Sequence, residues 1–377
     1  MSPIDPVELA EKIINLLDLA KHSTTYKWAT LDAIVQVVTE NIQPDGQMPN
    51  SISAKAVGEK VLQIYWRQSI PFAATNDGLY LFLKQSTGPG DIPARIAKFR
   101  LDNGLTAVND SLTVARVKHP QKVADLLQVV QDTVIRMPLP KLQRFGDGAN
   151  AVEKRFLYEY PWEDEVSISR IHRPDFDDAL TLQPGVAQGL IRIQSLIVPY
   201  IETLWIQWVA DRNKDLTDAA MLHDFLFGID RKSLARVKPH LITLQEGRCF
   251  YCNAALSQNA EVDHFLPFSK HNDDTLDNLV AACRSCNGSK SDKYPSLQHL
   301  INWKIRFETG SEIDSKLNAI ASSIPHLRDS ISTASKARAV YLNKPEGTLL
   351  WQSINQDANL NLERVKEILL NHRSSVQ

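Results

Sequence analysis

Four cysteines, Cys249, Cys252, Cys283 and Cys286, are the only ones in the chain, and they form two Cys-x-x-Cys pairs. About thirty residues join the pairs, the spacing of a shared zinc site. Four thiolates at about 2.3 Å in a tetrahedron close the shell of zinc and leave no position for water. Such an ion stabilises the fold and performs no chemistry. A redox Cys-x-x-Cys would account for only one pair and would lack its usual strand–helix context. Four unrelated buried thiols are the plain alternative.

Polar residues with chemical potential sit between and just after the pairs. Glu261-Val-Asp-His alternates as a short strand ending in Asp263 and His264. Pro267 and the polar run Ser269–Asp274 predict a loop. Leu276 to Ala282 predicts a returning strand with Asn278 near its start, and Asn287 and Lys290 open a short helix after the second pair. Two strands and a helix around a zinc would gather Asp263, His264, Asn278 and Asn287.

The order Asp263-His264, Asn278, Asn287 resembles the HNH (ββα-metal) endonuclease superfamily, in an HNN variant with a four-cysteine zinc. Asn-Leu at 278–279 and Cys-x-x-Cys-Asn-x-x-Lys ending at Lys290 belong to the same resemblance, which covers roughly residues 245–293. The run Phe225-Leu-Phe-Gly-Ile-Asp-Arg-Lys-Ser-Leu-Ala-Arg-Val more loosely resembles the lead-in of larger bacterial HNH proteins linked to restriction or phage defence.

The resemblance implies a metal-dependent nuclease that hydrolyses DNA phosphodiester bonds. His264 would be the general base, because an imidazole titrates near neutrality. Asp263 and Asn287 would offer oxygens to a catalytic magnesium or manganese, hard cations that prefer oxygen. Asn278 would hold the His-bearing loop through its backbone. Arg284 and Lys290 would contact phosphate. Neighbours in a strand point to opposite faces, so bringing Asp263 and His264 to one site calls for a distorted strand end or a bulge.

The elements around this insert read as helices. Residues 5–43, 54–66, 109–136 and 185–211 carry helical apolar periodicity, and helices resume after Tyr294. The expected class is a mostly α multi-domain protein with a small zinc-stabilised ββα-metal nuclease domain. Its segments are a helical, winged-helix-like region over 1–90, a helical middle over 91–228, the nuclease domain over 229–295, and a helical C-terminal region over 296–377. A turn-rich linker at Ser86–Pro93 contains Gly88 and Gly90 but no phosphate loop, since no Gly-Lys-Ser/Thr follows. Asp175, Asp177 and Asp178 read as a solvated loop rather than a metal site. Trp303, Trp351 and Tyr341 read as core.

Across 377 residues, 42 Lys and Arg balance 44 Asp and Glu, a formal net charge of -2. A DNA-binding surface normally shows as a basic excess. The balance instead fits a defence-system partner protein that steers the chain to DNA. No signal peptide is recognisable, and the apolar stretch Leu190–Ala210 is broken by Arg192, Glu202 and Pro199, so no membrane span and a cytoplasmic location are expected. One such site cuts one strand, so a double-strand break calls for a homodimer or two successive nicks. The alternative is a non-catalytic, zinc-stabilised subunit that binds nucleic acid or protein.

Overall fold

Pro6 suits a first helical turn, and the helix Pro6–Leu19 buries Leu9, Ile13, Leu16 and Leu17 along one face. This computed structural model describes residues 3–19, 24–74, 80–87, 92–107, 110–146, 152–214, 219–228, 231–324 and 326–370. It is mostly helical. The chain divides into two compact units, one of residues 1–38 and 49–229, the other of 39–48 and 230–377.

In the first unit, glycines let helices approach closely. A Cβ on Gly189 would lie 2.6 Å from Leu9 Cδ2, and one on Gly58 would lie 2.9 Å from the Gln131 backbone. These contacts seat Pro6–Leu19 on the helix Val186–Arg212, and Ala54–Gln68 on Pro120–Arg136. The long apolar run is therefore one helix, with Pro199 inside it. No described helix is long and apolar enough to cross a membrane. Ser53 caps Ala54–Gln68 by accepting from the Ala56 amide, and Ser51–Ser53 edges a three-stranded antiparallel sheet with Ala179–Leu182 and Tyr158–Glu159. Trp28, Tyr65 and Trp205 fill the centre, where the Trp205 indole donates to Gln85. Tyr80–Leu81 pairs antiparallel with Ala73–Ala74; the linker glycines Gly88 and Gly90 lie outside the described residues. Asp175 pairs with Arg170 and Arg173, and Asp178 accepts from Ser53 Oγ and the Lys55 amide.

The second unit holds the cysteine-rich insert and the helices after it. The helix Arg231–Leu244 leads into Glu246 and Gly247, both left-handed, at φ 54° and 71°. The chain then turns through Cys249–Cys252, with Arg248 bridged to Ala255. Glu261–His264 pairs antiparallel with Leu279–Ala282, and Arg284–Lys290 follows as a helix. Val237, Leu241, Leu276 and Leu279 make one apolar layer; Phe265, Trp303 and Tyr341 make another, with Phe265 stacked on Trp303 at 4.1 Å.

The loop between the two strands is clamped by buried charges from outside it. Asp273 is fully buried against Lys336, whose ammonium also reaches Glu40 at 3.0 Å. Asp277 is fully buried and takes Arg328 Nε at 3.0 Å, while Arg328 Nη2 reaches Asp314. Arg306 donates to the Leu279 carbonyl at 2.8 Å. Segment 296–377 thus packs with the insert in one unit. Trp303, Trp351 and Tyr341 are buried, so none offers a stacking platform to a base.

Candidate metal centre and active site

Local geometry brings the cysteines together. The Asn253 amide donates to the Cys249 carbonyl, with Asn253 at φ 57°, which curls the first pair into a knuckle. The second pair occupies the start of the helix Arg284–Lys290, with Cys283 as its N-cap. Gln245 joins the two: its side chain donates to the Arg248 and Ala281 carbonyls and accepts from the Ala281 amide. The four sulfurs lie within 4.8 Å of one another, and all four thiols are free.

These sulfurs fit zinc. A tetrahedron with sulfur at about 2.3 Å from its centre has edges of about 3.8 Å. Cys252 Sγ and Cys283 Sγ are 3.8 Å apart, a separation far beyond a disulfide. Cys249 and Cys286 are buried against Ala282 and Trp351, and Cys252 is exposed. Burial pushes the Cys249 and Cys286 thiols up, a cost that a cation among the thiolates reverses.

The strand Glu261–His264 carries the second group. Its register runs Glu261↔Ala282, Val262↔Ala281, Asp263↔Val280 and His264↔Leu279 without a shift. The bulge expected at this strand end is therefore not there, because both strands are covered by apolar layers that hold the pleat in step. Asp263 shares its face with Glu261, two residues earlier. That face meets the helix Arg284–Lys290. Asp263 is buried, accepts from Tyr251 Oη at 2.5 Å, and pairs with Lys290 Nζ at 3.0 Å. Asn287 Nδ2 donates to Glu261 Oε2 at 2.7 Å. A carboxylate only accepts, so this contact sets the amide and leaves Asn287 Oδ1 free for another partner.

His264 ends the strand. Its ring is 6% exposed, lies 5.1 Å from the Phe268 ring, and has Nε2 2.9 Å from Asp274 Oδ1. Asn278 is fully buried at the far side of the loop. Its Oδ1 accepts from the Leu266 amide at 2.8 Å, and its Nδ2 donates to the Leu266 and Asp273 carbonyls. The side-chain hydrogen bonds of Asn278 therefore go to backbone.

The two expected phosphate contacts part company. Arg284 is 81% exposed and pairs loosely with Glu261 at 3.9 Å. Lys290 is corrected: it is fully buried, and its ammonium is occupied by Asp263 and by the His264 carbonyl at 2.8 Å. With its ammonium withdrawn from solvent and held by these partners, it is not placed to contact a phosphate. Burial lowers its pKa, and Asp263 opposes that shift.

Three residues here escaped the reading of the chain: Tyr251, Glu261 and Asp274. Glu261 was legible in principle, since it precedes Asp263 by two on a strand. Tyr251 and Asp274 had no local signal, because their partners lie beyond the reach of a turn or a pleat, twelve and ten residues along the chain.

Residues 249–296 match a family model described as HNH endonuclease, so this segment is an HNH endonuclease domain. No curated protein matches the chain. No solved structure matches it.

Proposed function

We propose that this protein, which carries an HNH endonuclease domain over 249–296, is a metal-dependent endonuclease that hydrolyses phosphodiester bonds in DNA. The observation that carries the reading is the family match over 249–296; it is supported by His264 at the strand end, by Asp263 and Asn287 where the strand meets the helix, and by the four clustered thiols beside that hairpin. The four thiols suit a structural zinc. Asp263 and Asn287 offer the oxygens that a magnesium or manganese ion prefers. Such an ion, when bound, polarises the phosphate and steadies the leaving oxygen.

The residues of the chain divide the remaining work. His264 takes a proton from water as the water oxygen bonds to phosphorus and the phosphorus–O3′ bond breaks. The O3′ atom keeps the bonding electrons and draws a proton from solvent. Glu261 accepts from the Asn287 amide nitrogen and so orients the amide, leaving its oxygen available to the ion. Asn278 ties Leu266 and Asp273, which sets the path of the loop behind His264. Arg284, exposed beside the site, is suited to a flanking phosphate. The lead-in resemblance of 225–237 supports a setting in restriction or anti-phage defence.

Plasmid nicking by the full chain with magnesium or manganese tests the reading. His264→Ala should lose at least about 10²-fold in rate while keeping its zinc. An alanine variant that nicks like the parent overturns the mechanism. DNA binding without cleavage under either metal would favour the adaptor reading instead.

A further inference from the structure

We propose that Asp274 sets the tautomer of His264 and thereby makes Nδ1 the nitrogen that receives the proton. This rests on the nuclease reading above. Asp274 Oδ1 lies 2.9 Å from His264 Nε2. A carboxylate at neutral pH has no hydrogen to give, so Nε2 must carry one. The lone pair of a neutral ring then sits on Nδ1. The contact with Asp274 engages Nε2, which leaves Nδ1 as the ring's other nitrogen.

The aim of Asp274 is built into the loop. Its own carbonyl accepts from His326 Nε2 at 2.7 Å. Its neighbour Asp273 is held by Thr275, Thr333 and Lys336, and the Asp273 carbonyl by Asn278. Phe268 lies beside the imidazole ring and limits its rotation. A bond at one edge and a packed neighbour narrow the orientations open to the ring, and a base must be oriented before its proton affinity matters. Asp274 does not touch substrate; it is a positioning residue.

The test compares the full-length parent with Asp274→Asn, Asp274→Ala and His264→Ala, each loaded with zinc. Long-range ¹⁵N–¹H spectra, with the His264 signals assigned by their loss in His264→Ala, read the tautomer directly. The parent should be protonated on Nε2. Asp274→Ala should give mixed tautomers, and Asp274→Asn, whose amide can also donate, should shift the ring toward Nδ1–H. Nicking kcat should fall about 10²-fold in both, with KM within about twofold and zinc content unchanged. A parent ring protonated on Nδ1, or an Asp274→Ala variant with parental tautomer and parental kcat, overturns the proposal. A parent that never nicks sinks the nuclease reading alone, because the tautomer spectrum still decides the Asp274 contact.

Discussion

Lys290 and Asp263 meet at 3.0 Å inside the second unit, and the lysine ammonium is wholly withdrawn from solvent. The same ammonium holds the His264 carbonyl, so one cation from the helix fixes both ends of the Asp-His pair. Removing one partner of a buried pair leaves an uncompensated charge, which costs more than the pair itself contributes. Lys290→Met should therefore destabilise this unit by about 3–5 kcal/mol. Urea titration would register this as a lower midpoint at unchanged slope. A midpoint within experimental error of the parent would contradict the buried placement.

Zinc removal should be equally plain. Elemental analysis should find one zinc per chain in the parent and none in Cys249→Ser. Structural zinc in small domains contributes about 10 kcal/mol or more, and here apolar layers share the load. A strong chelator should lower the calorimetric transition of the 230–377 unit by several degrees at least. Unchanged melting after complete zinc loss would speak against a structural ion.

Acid should weaken the second unit through His271. Burial, helped by nearby Lys336, pulls its pKa from 6.5 down to about 3. Between those values the unfolded ring binds a proton that the folded ring refuses. The unfolded state holds more protons there, so stability rises with pH. The contribution is complete above pH 6.5 and is lost as pH falls toward 3. One proton gives a slope of about 1.4 kcal/mol per pH unit. His271→Gln should flatten the pH dependence of the urea midpoint across that window, and an unaltered slope would exclude His271 as its source.

Asp32 in the first unit should act with the opposite sign. Burial raises its pKa from 3.8 to about 6, with Gln36 and Lys60 opposing. The folded state then binds the extra proton between these values, and stability falls as pH rises through them. Above pH 6 the chain carries a buried carboxylate at a cost of about 2–3 kcal/mol. Asp32→Asn keeps an oxygen to accept from Gln36 and should stabilise the first unit at pH 8 but not at pH 4. Equal effects at both values would place the cause elsewhere.

Much of the second unit can be followed along the chain. Two Cys-x-x-Cys pairs bring sulfurs together through short turns, and an alternating Glu-Val-Asp-His segment makes a strand because its period is two. The long helix Val186–Arg212 is written in its apolar spacing, as is the burial of Trp303 and Trp351. Each is a local matter, settled by residues within a turn or a pleat of one another.

What joins those pieces is not local. Lys290 is amphipathic and on a short helix looks solvated; only the buried Asp263 and the His264 carbonyl, brought to it by the strand, hold it inward. Of the adjacent Asp273 and Asp274, one is buried against Lys336 and the other faces His264, a choice made by groups more than fifty residues away in one case and ten in the other. The amino-acid order by itself determined which side chains could form the site, because type and spacing dictate ligand chemistry and strand or helix period. The tertiary structure alone decided which nitrogen, which carboxylate and which lysine face one another, because burial and hydrogen-bond pairing depend on what closes over a residue in space.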